Sequence, residues 1–254
     1  MILTVDIGNS NIVLGGFQND EITFKARVRT ETAKTADQYC VDLKILLDLY
    51  GVQKESIQGA IIGSVVPQVL NAFRTAVERL IGKPPLVVGP GLKTGLDIRL
   101  DHPTQTGADL VAGNVAALRE HKPPLIVIDM STATTMAVMD ASGAHIGGVI
   151  MPGVKISMEA LRSRTALLPG LQLEKPKAAI GRNTVDAMQS GVMLGAACML
   201  DGMIERIQQE LHSTAAVVAT GGIAGYVVPL CKTPILYDRD LVLKGLYILY
   251  QENT

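Results

Sequence analysis

The chain has 254 residues, 48% of them apolar and 19% charged, enough hydrophobe for one large core or two small ones. Lys+Arg 23 against Asp+Glu 24 leave a formal net charge of -1 with no block of like charge, which excludes the basic footprint of a nucleic-acid binder. A charge content below the roughly 25% usual for soluble domains points to surface hidden between subunits, so a homo-oligomer is expected.

The opening reads as three strands, 1–6, 11–17 and 21–29, separated by the turn signals Gly8-Asn9-Ser10 and Gln18-Asn19-Asp20. Thr35 with Gln38 forms a capping box, and Val41, Ile45, Leu46 and Leu49 recur at helical spacing until Gly51. Strand 59–64, helix 68–80, strand 86–88, a Gly/Pro-rich loop and helix 107–120 follow, so the class is α/β. Lys122-Pro123-Pro124 then punctuates the chain before a second meander, 125–129, 134–140 and 145–150, followed by helices. Residues 3–11 and 126–134 align as an apolar strand, an Asp at its end and a polar turn into a second strand. Two similar halves, 1–121 and 122–254, are the economical explanation, although two unrelated β-hairpins can match over this length by chance.

Three cysteines, Cys40, Cys198 and Cys231, lie far apart without CxxC spacing, which argues against a disulfide framework or zinc ribbon. His102, His121, His145 and His212 show no HxxxH or HExxH spacing and read as surface or loop residues. The start of the chain shows no signal-peptide pattern, and the uncharged stretch 213–231 is broken by Gly and Pro, so a cytoplasmic protein with no membrane association is expected.

A strand ending in Asp, followed by a turn rich in N–H groups and small polar side chains, makes a concave surface for phosphate oxygens, and the Asp can hold Mg²⁺ or its waters. Asp6-Ile7-Gly8-Asn9-Ser10-Asn11 has this form, although an ordinary hairpin turn uses the same residues. Asp129 with Thr132, Thr134 and Thr135 repeats it, and two such hairpins suggest facing phosphate clamps. Neither GxxxxGK[ST] nor a strand-to-helix GxGxxG occurs, so P-loop and Rossmann modes are not supported. The strand 216–220 runs into Gly221-Gly222, which either lets a flat ring approach the backbone or is a plain turn. The helix with Met188, Met193, Met199, Met203, Gly191 and Gly195 suits either core packing or a dimer seam.

Taken together, Asp6–Asn11, Gly107-Ala108-Asp109, Asp129–Thr135 and Thr220-Gly221-Gly222 make the whole chain resemble the type III pantothenate kinases. The likeness extends to Lys93-Thr94-Gly95-Leu96, the segment 147–153, Asn183-Thr184-Val185-Asp186 and the segment 240–246. It implies the duplicated, ribonuclease H-like fold of the acetate and sugar kinase, Hsp70 and actin group, a homodimer, and ATP-dependent phosphorylation of pantothenate to 4'-phosphopantothenate, the first step of coenzyme A synthesis. It further implies that Asp6, Ile7, Gly8, Asn9, Ser10, Asn11 and Thr132 bind ATP, with Asp6 near Mg²⁺. Asp129 would hold a monovalent cation, K⁺ or NH₄⁺. Asp109 would be the general base, Leu100, Gly107, Ala108 and Leu110 would line the acceptor site, and Thr184 would reach the acceptor from the neighbouring subunit.

Three positions depart from the family pattern. Leu110 stands where the family has Arg, Leu100 where it usually has Tyr, and Ser131 where it usually has Gly, a position expected to need positive φ. Loss of the guanidinium is expected to weaken pantothenate binding or to favour another hydroxyl acceptor. The alternative is a catalytically impaired nucleotide-binding paralogue with an accessory role.

Overall fold

The computed structural model describes residues 1–164, 170 and 172–254. Its first meander comprises β1 (Ile2–Ile7), β2 (Asn11–Gln18) and β3 (Glu21–Arg29). Leu3, Val5 and Ile7 alternate inward at 0% exposure, which leaves Thr4 and Asp6 on the opposite face of β1. Next come α1 (Ala36–Leu49), β4 (Gly59–Ser64), α2 (Pro67–Ile81), β5 (Leu86–Val87) and α3 (Ala108–Glu120). The sheet order is β3-β2-β1-β4-β5, antiparallel through the meander and parallel beyond it.

The capping box forms as expected, Gln38 N donating to Thr35 Oγ1 at 3.3 Å and Thr35 N donating to Gln38 Oε1 at 2.9 Å. The buried face of α1 is nevertheless Tyr39, Leu43 and Leu47, while Val41, Ile45 and Leu49 are exposed at 57%, 60% and 74%. Both rows have i, i+4 spacing, and a two-residue offset turns one roughly 200° from the other. The Tyr39 ring, edge-on to Phe73 of α2 with centroids 5.1 Å apart, and its hydroxyl donating to Glu31 O decide which row faces inward. Leu43→Ala should therefore cost about 2–5 kcal/mol in urea denaturation. Ile45→Ala should change stability by no more than about 0.5 kcal/mol. Equal losses for the two variants would contradict this orientation.

The second meander is β6 (Leu125–Met130), β7 (Ala133–Met139) and β8 (His145–Pro152), followed by α4 (Val154–Arg164), α5 (Thr184–Leu211), β9 (Ala216–Thr220), α6 (Ala224–Val227) and β10 (Leu236–Tyr237). Its order, β8-β7-β6-β9-β10, repeats the first sheet strand for strand in both position and direction. The two halves are therefore similar in structure, as the paired Asp-ending strands suggested. Helix α5 is long and apolar enough to cross a membrane by length and composition, yet Met193, Ala197, Leu200 and Ile204 on it are buried in this unit's core. Histidine 145 is not a surface residue: it is 3% exposed on β8, with Nε2 3.1 Å from Gly147 O. The edge strand is covered there because segment 96–101 runs beside it, Ile98 pairing parallel with His145.

The compact units do not follow a single cut at 121/122. One comprises 1–95, 102–116 and 241–254, the other 96–101 and 117–240. The last helix, α7 (Leu241–Glu252), returns to the first unit. Helices α1 and α2 cover one face of the first sheet, and the Thr4–Asp6 face is closed by α7, whose Leu243 and Leu246 pack where Gly15 and Gly63 carry no side chain.

Candidate active site

In the first unit the Asp6–Asn11 turn is held from two sides. Gly8 N donates to Asn11 O at 3.0 Å, Thr30 Oγ1 donates to Gly8 O at 2.6 Å, and Thr30 N donates to Ser10 O at 3.1 Å. Asn9, Ser10 and Asn11 are exposed and Asp6 is half-buried. Ile7 differs, because its side chain lies in the core at 0% exposure and only its backbone faces the loop; its carbonyl accepts Val65 N at 3.1 Å.

Val65 also links this turn to the segment Gly107–Leu110. The Cβ that Gly107 lacks would lie 3.3 Å from Val65 Cγ1 and would collide with the Asp109 carboxylate. Asp109 thus folds back over Gly107 in the first turn of α3, accepting Leu110 N at 2.8 Å on Oδ1. Burial raises its pKa above the ordinary aspartate value, and the Leu110 N–H opposes that shift more weakly. Ala108 is buried and Leu110 half-buried. Valine 65 carries no chemistry and could not be singled out by motif reading.

In the second unit Asp129 is the last residue but one of β6, paired with Thr135 on one side and Thr220 on the other. Gly221, at φ +96°, passes so close that a Cβ there would sit 2.6 Å from Asp129 Oδ1. The hydroxyls of Thr134 and Thr135 are buried and make no hydrogen bond among the described residues. Thr132 is half-buried in the turn. Ser131 does not adopt the positive φ expected of it; its N–H donates to Ala133 O at 3.0 Å, so the added Cβ costs no backbone strain. Leu100 lies on the segment beside β8, and Thr184, exposed, opens α5 behind the N-cap Asn183, whose side chain accepts Asp186 N at 2.9 Å. Thr184 also lines a groove of about 880 Å³ with Val154 of α4 and Met188, Gly191, Gly195 and Met199 of α5.

Of the predicted residues, Asp6–Asn11 and Gly107–Leu110 belong to one compact unit, and Leu100, Asp129, Thr132 and Thr184 to the other. The model of the type III pantothenate kinase family matches residues 2–206. The chain belongs to the type III pantothenate kinase family. Among solved structures, a conserved protein of the Baf transcriptional-activator family from Campylobacter jejuni superposes with TM-score 0.61 at 17% identity over 99% of this chain and 98% of that one. The activator of 2-hydroxyisocaproyl-CoA dehydratase from Clostridium difficile, solved with bound ADPNP, gives TM-score 0.59 at 12% identity over 98% and 94%. The ethanolamine utilization protein EutJ from Carboxydothermus hydrogenoformans gives 0.55 at 15% over 97% and 89%. At these identities the likeness is one of fold: this member of the pantothenate kinase family has the duplicated acetate and sugar kinase–Hsp70–actin fold.

Proposed function

We propose that this family member transfers the γ-phosphoryl group of Mg·ATP to the primary hydroxyl of pantothenate, forming 4'-phosphopantothenate and ADP. The observation that carries the reading is Asp109: a partly buried carboxylate held over Gly107, with a raised pKa and the Leu110 N–H donating to it, is suited to take the hydroxyl proton as the oxygen attacks phosphorus. Phosphoryl transfer otherwise asks for positioning and charge neutralisation, which the exposed polar turn Asn9–Asn11 and the turn at Thr132 provide in this reading. Binding of ADPNP by the Clostridium difficile activator accords with nucleotide use on this fold.

The donor sets suit the implied ions. Asp6, half-buried beside an exposed polar turn, would hold Mg²⁺ or its waters, neutralising phosphate charge. Asp129 faces Thr135, whose buried hydroxyl makes no hydrogen bond among the described residues, and this all-oxygen pair suits K⁺ or NH₄⁺. The enzyme acts as a cytoplasmic homodimer in this proposal, with Thr184 reaching the acceptor of the partner subunit. Incubating the protein with Mg·ATP and pantothenate, with and without K⁺ or NH₄⁺, and following phosphopantothenate by mass tests the reading directly. ATP binding without product under any cation would reject it.

Leu110 supports a second reading. It removes the family's cation from the acceptor side, as expected of a kinase for another hydroxyl compound or of a nucleotide-binding accessory protein. On the pantothenate reading, Leu110→Arg should lower the KM for pantothenate about tenfold, by giving its carboxylate a charge-assisted partner. An unchanged or higher KM would show that the pocket is not built for this carboxylate.

A further inference from the structure

Strand registry places two arginines beside the first phosphate hairpin. Residues directly opposite in an antiparallel pair share a face. Asp6 pairs with Val13 and Val13 with Arg27, while Asn11 at the hairpin itself pairs with Arg29. Arg27 and Arg29 thus lie on the Asp6 face of the first sheet, one strand from Asn11 and two from Asp6, or about 5 and 10 Å at ordinary strand spacing. Both are exposed, and with Lys25 they are the only cationic side chains on the five strands of this sheet. Neither arginine makes an ion pair among the described residues, whereas Lys34 in the same unit is paired with Glu31 and Asp42, and Arg79 with Asp37. Two guanidinium groups two residues apart on one face repel each other, and a bound anion removes that repulsion. Arginine also matches phosphate oxygens bidentately.

We propose that Arg27 and Arg29 form an anion subsite flanking the Asp6–Asn11 hairpin and hold oxygens of the donor's phosphate chain. This rests on reading that hairpin as phosphate-binding. Positive charge on an edge strand also discourages sheet pairing, a role that alters aggregation and leaves ligand affinity untouched.

The test is calorimetric titration of the full chain with Mg·ATP, tripolyphosphate and adenosine, comparing the wild type with the double variant Arg27→Gln/Arg29→Gln, the double variant Arg27→Lys/Arg29→Lys and Asn11→Ala. The glutamine variant should lose about tenfold or more in affinity for Mg·ATP and tripolyphosphate, with a shallower salt dependence. Adenosine affinity and the thermal midpoint should not move, and lysines should restore part of the loss. If the glutamine variant binds Mg·ATP as the wild type does while Asn11→Ala weakens binding, the arginine subsite is wrong and the hairpin reading survives. An equal loss for adenosine, or a lowered midpoint, would make the arginines structural and overturn the proposal. Wild-type binding to neither phosphate compound would remove both readings, and arginine-dependent binding of tripolyphosphate alone would keep the subsite and remove ATP as its ligand.

Discussion

Asp109→Asn is expected to lower kcat by about 10²–10⁴-fold, the usual loss for a general base, while ATP affinity stays near wild type because the amide keeps the carboxylate's shape and lies on a different loop from the Asp6–Asn11 hairpin. The same substitution should stabilise the protein at neutral pH. Burial raises the pKa of Asp109, so the folded chain holds that proton more tightly than the unfolded chain does. The stabilising contribution is complete below the unfolded-chain pKa and is lost as pH rises through the folded one. The asparagine variant should consequently melt above the wild type at pH 7, with the difference closing as the pH falls below the carboxylate range. Wild-type turnover should decline on acidification at a pH higher than an exposed aspartate would give. Near wild-type turnover in the variant would end the base assignment; loss of turnover with no gain in midpoint would leave the base in place and remove the argument from burial.

Gly107→Ala is expected to be nearly as damaging without removing any reactive group. Its methyl would occupy the space of the Asp109 carboxylate and press on Val65, so the carboxylate must swing away from its place over the loop. A displacement of about 1 Å at a reacting group can cost on the order of 10²-fold in rate. The loss should fall on kcat rather than on ATP affinity, and the acidic limb of the pH profile should move down as the carboxylate becomes more exposed. An alanine variant with full kcat would mean that the compact Gly107–Asp109 arrangement has no part in turnover.

The duplicated fold and the motif residues were legible in the sequence because they depend on short-range rules. Asp6 and Asp129 each stand next to last in an apolar strand before a polar turn, and period-two alternation places each on the face opposite its buried neighbours. The capping box at Thr35 is likewise a contact between residues three apart. What sequence could not determine depends on which surfaces meet. Two rows on α1 have identical spacing, and only packing against Phe73 selects the one containing Tyr39. Ser131 escapes positive φ because the turn to Ala133 closes without it, a conformation no composition rule specifies. His145 is buried because a segment some fifty residues earlier covers its strand, and α7 leaves the half of the chain in which it is encoded because the first sheet has an uncovered face. Arg27 and Arg29 acquire their position beside Asn11 from registry across β2 and β3, since a one-residue slip would turn both to the other face. Local periodicity sets which residues can face a ligand, and long-range pairing sets which of them stand together.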